Sequence, residues 1–185
     1  MVQQADTNTK KRTTLPKRVD PLRVLALLPI RPYHRVADFG CGEGHFTIPL
    51  AKYLFDGRVY AVDFQPEALA ELGKRLQEVH LTNVEAIQVE KPEIPLEKES
   101  LDGLLITFTL GQIEQKAVFL KHALSLLRKG GWATILEEHK APGSKGGASH
   151  DKKVEEAEAL AQEAGFRIVD RRSLDSTHTM ILLRK

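Results

Sequence analysis

The stretch RVADFGCGEGHFTIPL, residues 35–50, decides the fold of this 185-residue chain. An apolar run, Val36 to Phe39, stops at three glycines on alternate positions, Gly40, Gly42 and Gly44. Directly after them, apolar side chains recur at helical spacing, at positions 46, 50, 51 and 54. The stretch therefore predicts a buried strand, a tight turn without side chains and the N-terminus of a helix.

The glycine turn predicts a ligand that carries an anionic group or approaches the main chain closely. Glycine tolerates positive φ and leaves room beside the backbone, and a helix start offers unpaired N–H groups and a partial positive charge. The dinucleotide fingerprint G-x-G-x-x-G would need its third glycine at position 45, where His45 stands. A nicotinamide cofactor is therefore the weaker alternative. Cys41, between the glycines, is interpreted as a turn residue.

The composition excludes several classes of protein. It is 42% hydrophobic and 28% charged, which is typical of a soluble globular protein, and the net charge of +2 gives no strong indication of a nucleic-acid partner. The single cysteine excludes an intramolecular disulfide and suits a reducing compartment. No apolar run approaches the length of a membrane span. We expect a cytoplasmic protein with no metal site, and we leave open whether it forms a homo-oligomer.

The length predicts one domain, over residues 15–185, after a disordered polar tail over residues 1–14. Asp20 and Pro21 are typical of a helix N-terminus, and the helix is predicted to run from Leu22 to Leu28. The stretch KAPGSKGG, residues 140–147, is predicted to be a mobile loop.

The second strand, Arg58 to Asp63, ends in a carboxylate 19 residues after Gly44. A βαβ unit places at this point the acid that binds the ribose of a nucleotide, and a carboxylate suits a vicinal diol because it accepts hydrogen bonds and donates none. A helix cap is the alternative, because Pro66 begins the next helix. We favour ribose binding. Phe64 fits either an adenine face or the core.

The rest of the chain continues the alternation of helices and strands. A helix from Pro66 to about Val79 is expected to bury Leu69, Leu72, Leu76 and Val79. Strands are predicted at 83–88, 102–108 and 132–137. A helix with Leu120, Ala123, Leu124 and Leu127 on one face is predicted to end at 129–131. Another helix is predicted at about 151–164, with Gly165 as its C-cap.

The C-terminus differs in kind from the preceding β-α units. Residues 166–172 and 178–184 are predicted strands joined by five residues, which is too short for a parallel crossover. They must therefore pair in an antiparallel hairpin. The fold predicted is α/β: a single Rossmann-like, doubly wound sheet of seven mostly parallel strands with a C-terminal antiparallel hairpin strand.

From about Leu15 to Lys185 the chain resembles class I methyltransferases that depend on S-adenosylmethionine (SAM). It is most similar to the small branch that includes ubiquinone/menaquinone-biosynthesis and arsenite-methyltransferase-like proteins. The order and spacing of six segments carry the resemblance: VADFGCGEGHFT (36–47), VYAVDFQPEAL (59–69), NVEAIQVEKPEIPL (83–96), SLDGLLITFTLGQI (100–113), LLRKGGWATILEEH (126–139) and EAGFRIVD (163–170).

The resemblance implies that the protein transfers a methyl group from SAM to a small-molecule acceptor by in-line displacement, with S-adenosylhomocysteine (SAH) as product. It implies cofactor-binding roles by region. Asp63 is implied to bind the ribose, Phe64 and Glu90 to lie near the adenine, and Thr107 to face the sulfonium. The residues implied near the methionine end are Asp38, Gly40, Cys41, Gly42 and Gly44.

Two departures from the family pattern affect these roles. The family usually has Gly-Asp where this chain has Val89-Glu90, and many relatives carry His or Asn around Thr107, Gly111 and Gln112. The second departure leaves the acceptor unassigned. Arsenite methylation in the family depends on several cysteines, and this chain has one.

The predicted catalytic base is His139, because it follows the fifth strand at the expected substrate mouth and an imidazole titrates near neutrality. Glu137, Glu138 and His34 are the other candidates, and all four are expected near the carboxyl ends of the strands. His45 is assigned to the cofactor loop, and His80, His122, His150 and His178 to the surface. Two alternatives remain: a protein that binds SAM or SAH without turnover, and a nicotinamide-dependent oxidoreductase.

Overall fold

The computed structural model describes residues 19–139 and 150–185. The helices are α1 (Pro21–Leu25), α2 (Thr47–Tyr53), α3 (Pro66–Glu78), α4 (Lys116–Leu126) and α5 (His150–Ala164), with a 3-10 turn at Leu110–Gln112. The strands are β1 (Arg35–Phe39), β2 (Arg58–Asp63), β3 (Val84–Gln88), β4 (Leu101–Thr107), β5 (Leu127–Glu138), β6 (Arg167–Ser173) and β7 (His178–Arg184).

The seven strands form one sheet in the order β3-β2-β1-β4-β5-β7-β6. The pairings among β1 to β5 are parallel, and β7 pairs antiparallel with both β5 and β6. The predicted fold class is therefore confirmed. The strand order reverses direction between β1 and β4, which is the place where open α/β sheets bind ligands, beyond the carboxyl ends of the strands.

The centre of the sheet is covered on both faces, as a parallel sheet requires. All seven residues of β4 are buried. In this strand Gly103 lies opposite Trp132 of β5, and a Cβ at Gly103 would lie 2.2 Å from Cζ2 of the indole ring. The absent side chain therefore makes room for the largest fully buried side chain of the core.

Alternate residues of the strands face two different helix layers. Ala37, Phe39, Leu104 and Ile106 pack with α4 and α5, whereas Val36, Val59 and Leu105 pack with α1 and α2. Leu72 and Leu76 of α3 form a smaller cluster with Ala61 and Cys41. The predicted apolar face of α2 is confirmed, because the side chains at positions 46, 50, 51 and 54 are all buried.

Several boundaries predicted from the sequence are wrong. Helix α1 ends at Leu25 rather than Leu28. Leu127 and the segment 129–131 belong to β5, because the strand begins directly where α4 ends and pairs with Leu101 before the register shifts. Val79 is 39% exposed, because it is the C-cap of α3 and lies beyond the buried face of that helix. Leu69 is half-buried.

Other predictions at the ends of elements hold. Asp20 caps α1 by accepting a hydrogen bond from the Leu22 N–H at 2.9 Å, and Gly165 ends α5 with a φ of +104°. The proposed tail at 1–14 and loop at 140–147 lie outside the described residues. Within the described part of the chain, no helix has the length and apolar character needed to cross a lipid bilayer.

Candidate functional site

The loop that follows β1 is anchored to the end of β2. The N–H groups of Gly40 and Cys41 both donate to the carbonyl of Val62, at 2.8 Å and 3.1 Å. The Gly42 N–H donates to Oδ2 of Asp63 at 2.8 Å. The loop turns through positive φ at Gly40, Gly42 and Gly44, with values of 79°, 52° and 90°. Glycine is the residue that takes these angles without strain.

Gly40 also lets the ends of β1 and β4 approach closely. A Cβ there would lie 2.2 Å from Oγ1 of Thr109. This hydroxyl is in hydrogen-bond range of the carbonyls of Phe39, at 3.1 Å, and Thr107, at 2.8 Å. Gly42 differs, because a Cβ at this residue would have no atom of the described part of the chain within 4 Å. The middle of the loop therefore borders open space.

Asp63 both supports the loop and faces the cleft. Its Oδ1 accepts from the Gln65 N–H at 3.0 Å and its Oδ2 from Gly42, so each oxygen keeps a further lone pair for a ligand. The side chain lies at the carboxyl end of β2 in a residue that is 8% exposed. The capping role weighed from the sequence is thus present, and it leaves capacity for ribose hydroxyls.

Asp38 lies fully buried beneath this loop. Its Oδ2 accepts from the Thr47 hydroxyl at 2.7 Å, but Oδ1 has no hydrogen-bond partner among residues 19–139 and 150–185. Burial, aided by the charge of Asp63 and opposed by the Thr47 hydrogen bond, raises the pKa of Asp38 to about 6. A buried carboxylate with an orphaned oxygen is costly, and a cationic ligand nearby would relieve the cost.

Asp38→Asn tests this buried charge through the pH dependence of folding. A raised pKa means that the native state holds the proton more tightly than the unfolded chain, so the destabilisation grows between about pH 4 and pH 6 and is complete above it. The stability of Asp38→Asn relative to wild type should therefore rise by up to about 3 kcal/mol from pH 4 to pH 7. The burial cost of the new amide is the same at both pH values.

Urea unfolding monitored by circular dichroism, repeated between pH 4 and pH 7.5, measures this difference. Asp56→Asn is the matched control, because Asp56 is exposed near the amino ends of the strands. The difference in unfolding free energy between this variant and wild type should not change with pH. Parallel stability curves for Asp38→Asn and wild type would show that Asp38 carries no such cost.

An open cleft runs along the carboxyl ends of the strands in three adjoining parts. The central cavity, about 470 Å³, is lined by Gly40, Gly42, Asp63, Phe64, Gln65, Thr107, Phe108, Thr109 and Gln112. The Phe64 cavity, about 600 Å³, shares Phe64 and Gln112 with it and extends towards α4. The His178 cavity, about 420 Å³, shares its glycines and Thr107, and adds Cys41, His45, Phe46, Glu138 and His178 among others.

Most of the residues predicted to hold the cofactor lie around this cleft. The central cavity is lined by Gly40, Gly42, Asp63 and Thr107. It is also lined by Phe64, whose ring packs edge-on against Phe39 with centroids 5.7 Å apart. Phe64 therefore combines the two roles weighed for it, a core contact and a cleft wall. Gly44 supports the loop from below, since a Cβ there would lie 2.5 Å from Leu72.

Three predicted cofactor residues do not line the cleft: Asp38 and Gly44, which lie beneath the loop, and Glu90. Glu90 is exposed and lines none of the three cavities, whereas the following residues, Lys91 to Glu93, line the Phe64 cavity. The contact of Glu90 with adenine stays a prediction.

The candidate bases are scattered. His34 precedes β1 and accepts from the Arg31 N–H at 3.2 Å, so it lies at the amino ends of the strands and its placement at the carboxyl edge was wrong. His139 is buried, 3.0 Å from the Thr179 hydroxyl, and does not line the cleft. Glu137 is also buried, and burial raises its pKa. Glu138 does line the His178 cavity.

Two further histidines differ from expectation. His178, assigned to the surface, is only 3% exposed and lines the cleft. His122 is half-buried, with Nε2 3.1 Å from the Ile94 carbonyl. His80 is exposed as expected, and the side chain of His150 lies outside the described part. His45 does lie in the glycine loop, where Nε2 is 2.8 Å from the Val19 carbonyl.

Sequence reasoning missed His178 together with Phe108. Phe108 follows β4 with a φ of +59°, an unusual conformation for a bulky residue, and its ring meets the His178 ring edge-on at 5.6 Å. The signal for His178 was the hairpin itself. Because β7 runs opposite to the other strands, its first residue lies at the edge where they end.

The glycine loop and the strands around it match a known family. The family model of the methyltransferase domain matches residues 36–131, about half of the chain. The chain belongs to this methyltransferase family. The resemblance drawn from the six segments is therefore confirmed, and SAM is the cofactor that goes with it.

Curated relatives and solved structures extend the match. The chain is 32% identical over 116 residues to a demethylmenaquinone methyltransferase of Staphylococcus aureus (strain MRSA252), covering 62% of this chain and 47% of the relative. It thus spans about half the length of the curated relatives it matches. A crystal structure of a SAM-dependent methyltransferase from Aquifex aeolicus has a TM-score of 0.79 at 23% identity, covering 90% of this chain and 89% of that one.

A further structural neighbour of this methyltransferase chain carries a different name. The crystal structure of the [4+2]-cyclase SpnF has a TM-score of 0.75 at 15% identity, covering 89% of this chain and 79% of that one. At this identity the likeness concerns the fold alone. The activity of the present chain must therefore be argued from its own site.

Proposed function

We propose that the protein transfers the methyl group of SAM to a small-molecule acceptor. One observation carries the proposal: Asp63 binds the N–H of Gly42 in an open cleft at the switch point of the sheet, with lone pairs left for a ribose. The orphaned oxygen of Asp38 and the open space at Gly42 fit a cationic ligand that approaches the loop closely.

Bound SAM supplies an electrophilic methyl group on a sulfonium, so the chain itself has to position the reactants more than to activate them. In the proposal Asp63 accepts hydrogen bonds from the ribose, and Phe64 lies at the adenine end in the Phe64 cavity. Thr107 and Phe108, at the end of β4, line both the central cavity and the His178 cavity. Holding an acceptor in line there can lower the barrier by roughly 7–11 kcal/mol.

The acceptor site proposed is the His178 cavity. Its walls include two phenylalanines, Phe46 and Phe108, and the polar side chains of Glu138 and His178. Such a mixture suits a ring that carries a hydroxyl or amine. Because the curated relatives are named demethylmenaquinone methyltransferases, a demethylmenaquinol is the first acceptor to try.

The second candidate is a protein that binds SAM or SAH without methyl transfer. Its support is that a neighbour with the same fold is named as a cyclase, so the fold does not by itself fix the reaction. This candidate shares the cofactor half of the proposal, and turnover alone separates the two.

Incubation with SAM labelled by a trideuterated methyl group tests the proposal by mass spectrometry. We expect stoichiometric formation of SAH and of an acceptor with the label, first with a demethylmenaquinol and then with extracts of small metabolites. Asp63→Ala is the control that should lose both signals. Binding of SAM without SAH formation in any acceptor pool would favour the second candidate.

A further inference from the structure

His178 occupies the edge of the sheet where ligands bind. As the first residue of the reversed strand β7, it pairs in register with Glu138 at the end of β5. Its ring lines the same cavity as Gly40, Gly42 and Thr107. A buried imidazole therefore faces the part of the cleft next to the proposed site of the transferred methyl group.

The ring is held by a carboxylate from the hairpin turn. Nδ1 of His178 lies 2.9 Å from both oxygens of Asp175. Asp175 is itself fixed, because its Oδ1 accepts from the N–H of Thr177 at 2.7 Å and from the Thr177 hydroxyl at 3.0 Å. Burial acts to raise the pKa of Asp175, but these hydrogen bonds and His178 outweigh it and lower the pKa to about 2.

This contact sets the proton arrangement of the imidazole. An ionised carboxylate only accepts hydrogen bonds, so Nδ1 carries the proton and Nε2 keeps its lone pair when the ring is neutral. Among residues 19–139 and 150–185, the hydrogen bonds of the His178 ring are made at Nδ1 alone. The edge-on contact with Phe108 fixes the ring from the cleft side.

We propose that His178, oriented by Asp175, is the base that takes the proton of the methyl acceptor. This rests on the proposed methyl transfer. The acceptor's oxygen or nitrogen, or in a demethylmenaquinol the ring carbon made nucleophilic by loss of the hydroxyl proton, attacks the methyl carbon, the carbon–sulfur bond breaks, and its electron pair stays on sulfur as neutral SAH. In the demethylmenaquinol the hydrogen of the methylated ring carbon then shifts to the oxygen and restores the ring hydroxyl. The acceptor's proton passes to Nε2, and the imidazolium is stabilised by the Asp175 carboxylate until it loses the proton to solvent.

The other titratable groups around the cavity suit this role less. Cys41 is buried, and burial raises the pKa of its thiol far above the usual range. His45 is engaged with the Val19 carbonyl. Glu43 lines the same cavity from the glycine loop, but its carboxylate is paired with Arg75, with Oε2 2.7 Å from Nη2. Glu138 lines the cavity from β5 and is exposed.

Proton release on cofactor binding tests the position of His178 without a known acceptor. SAM carries a positive sulfonium and SAH does not, so SAM should expel the proton of a nearby imidazolium and SAH should not. Titration calorimetry at pH 6.5, in buffers of different ionisation enthalpy, counts the protons released. We expect SAM to release more protons than SAH, by a fraction of one proton per bound ligand.

Variants then assign the proton. His178→Asn should abolish the difference in proton release between SAM and SAH. Asp175→Asn should reduce this difference, because the carboxylate favours the charged ring. His139→Asn, at the neighbouring strand end and outside the lining of this cavity, should keep the difference between SAM and SAH. Thermal unfolding checks that each variant folds.

Two results would overturn the inference: equal proton release by SAM and SAH in wild type, or an undiminished difference in His178→Asn. Failure of the proposed function is distinguishable, because it appears as the absence of binding heat for both ligands. With a working acceptor, His178→Asn should lower kcat by about 10²–10⁴-fold, while the Kd for SAM stays within about threefold.

Discussion

Asp63→Ala is expected to weaken the binding of both SAM and SAH by about 5- to 150-fold. The ribose hydroxyls of the ligand lose their partner, and leaving such a polar group unpaired costs about 1–3 kcal/mol, which gives this range. The Gly42 N–H of the loop loses its partner in the free and in the bound variant alike, so that loss lowers the stability of the loop and not the affinity directly. Isothermal titration calorimetry of both ligands into wild type and variant measures it.

Asp56→Ala is the matched control for this substitution. Asp56 precedes β2 as Asp63 ends it, and its side chain is exposed at the opposite edge of the sheet. Its removal should leave the affinity within about threefold of wild type, as expected for a surface position away from the site. An equally small change for Asp63→Ala would show that the ribose does not bind at the end of β2.

Gly40→Ala is expected to destabilise the fold by about 2–5 kcal/mol. Its φ of +79° is costly for a residue with a Cβ, by about 1–2 kcal/mol. The added carbon would also lie 2.2 Å from Oγ1 and 2.6 Å from Cγ2 of Thr109, between two strand ends. Overpacking of this kind adds about 1–3 kcal/mol. Urea unfolding gives the difference in free energy.

Gly42→Ala separates the effect of the clash from that of backbone strain. Its φ is also positive, +52°, but nothing lies within 4 Å of the added carbon. We expect a loss of only about 1–2 kcal/mol from the strain, together with weaker SAM binding because the methyl group occupies the open side of the loop. Equal destabilisation by the two variants would contradict the close packing of Gly40 against Thr109.

The core of the candidate cofactor site could be located from the sequence because its signals are local. The glycines at 40, 42 and 44 constrain the backbone over five residues, and Asp63 follows at a distance fixed by one helix and one strand. The terminal hairpin was also predictable, since five residues cannot cross over a sheet. These features together determine where the cleft lies.

The substrate side could not be read in the same way because it depends on long-range placement. The sequence alone does not distinguish His139 from His178. In the structure His139 is hydrogen-bonded to the Thr179 hydroxyl, whereas His178 lines the cleft. Only the register of β5 with β7 decides this. His34 was placed at the wrong end of the strands, because a histidine beside a predicted strand does not reveal at which end of the sheet it lies. Val79 was wrongly predicted to be buried, because apolar spacing does not reveal where a helix ends.

Titration of SAM, SAH and NADH into the wild-type protein by calorimetry tests the central claim most directly. The account predicts that SAM and SAH bind with a Kd of about 1 μM, or about −8 kcal/mol, and that NADH does not bind. Binding of NADH in place of SAM, or no heat from SAM and SAH at all, would contradict the assignment of the glycine loop and Asp63 to this cofactor.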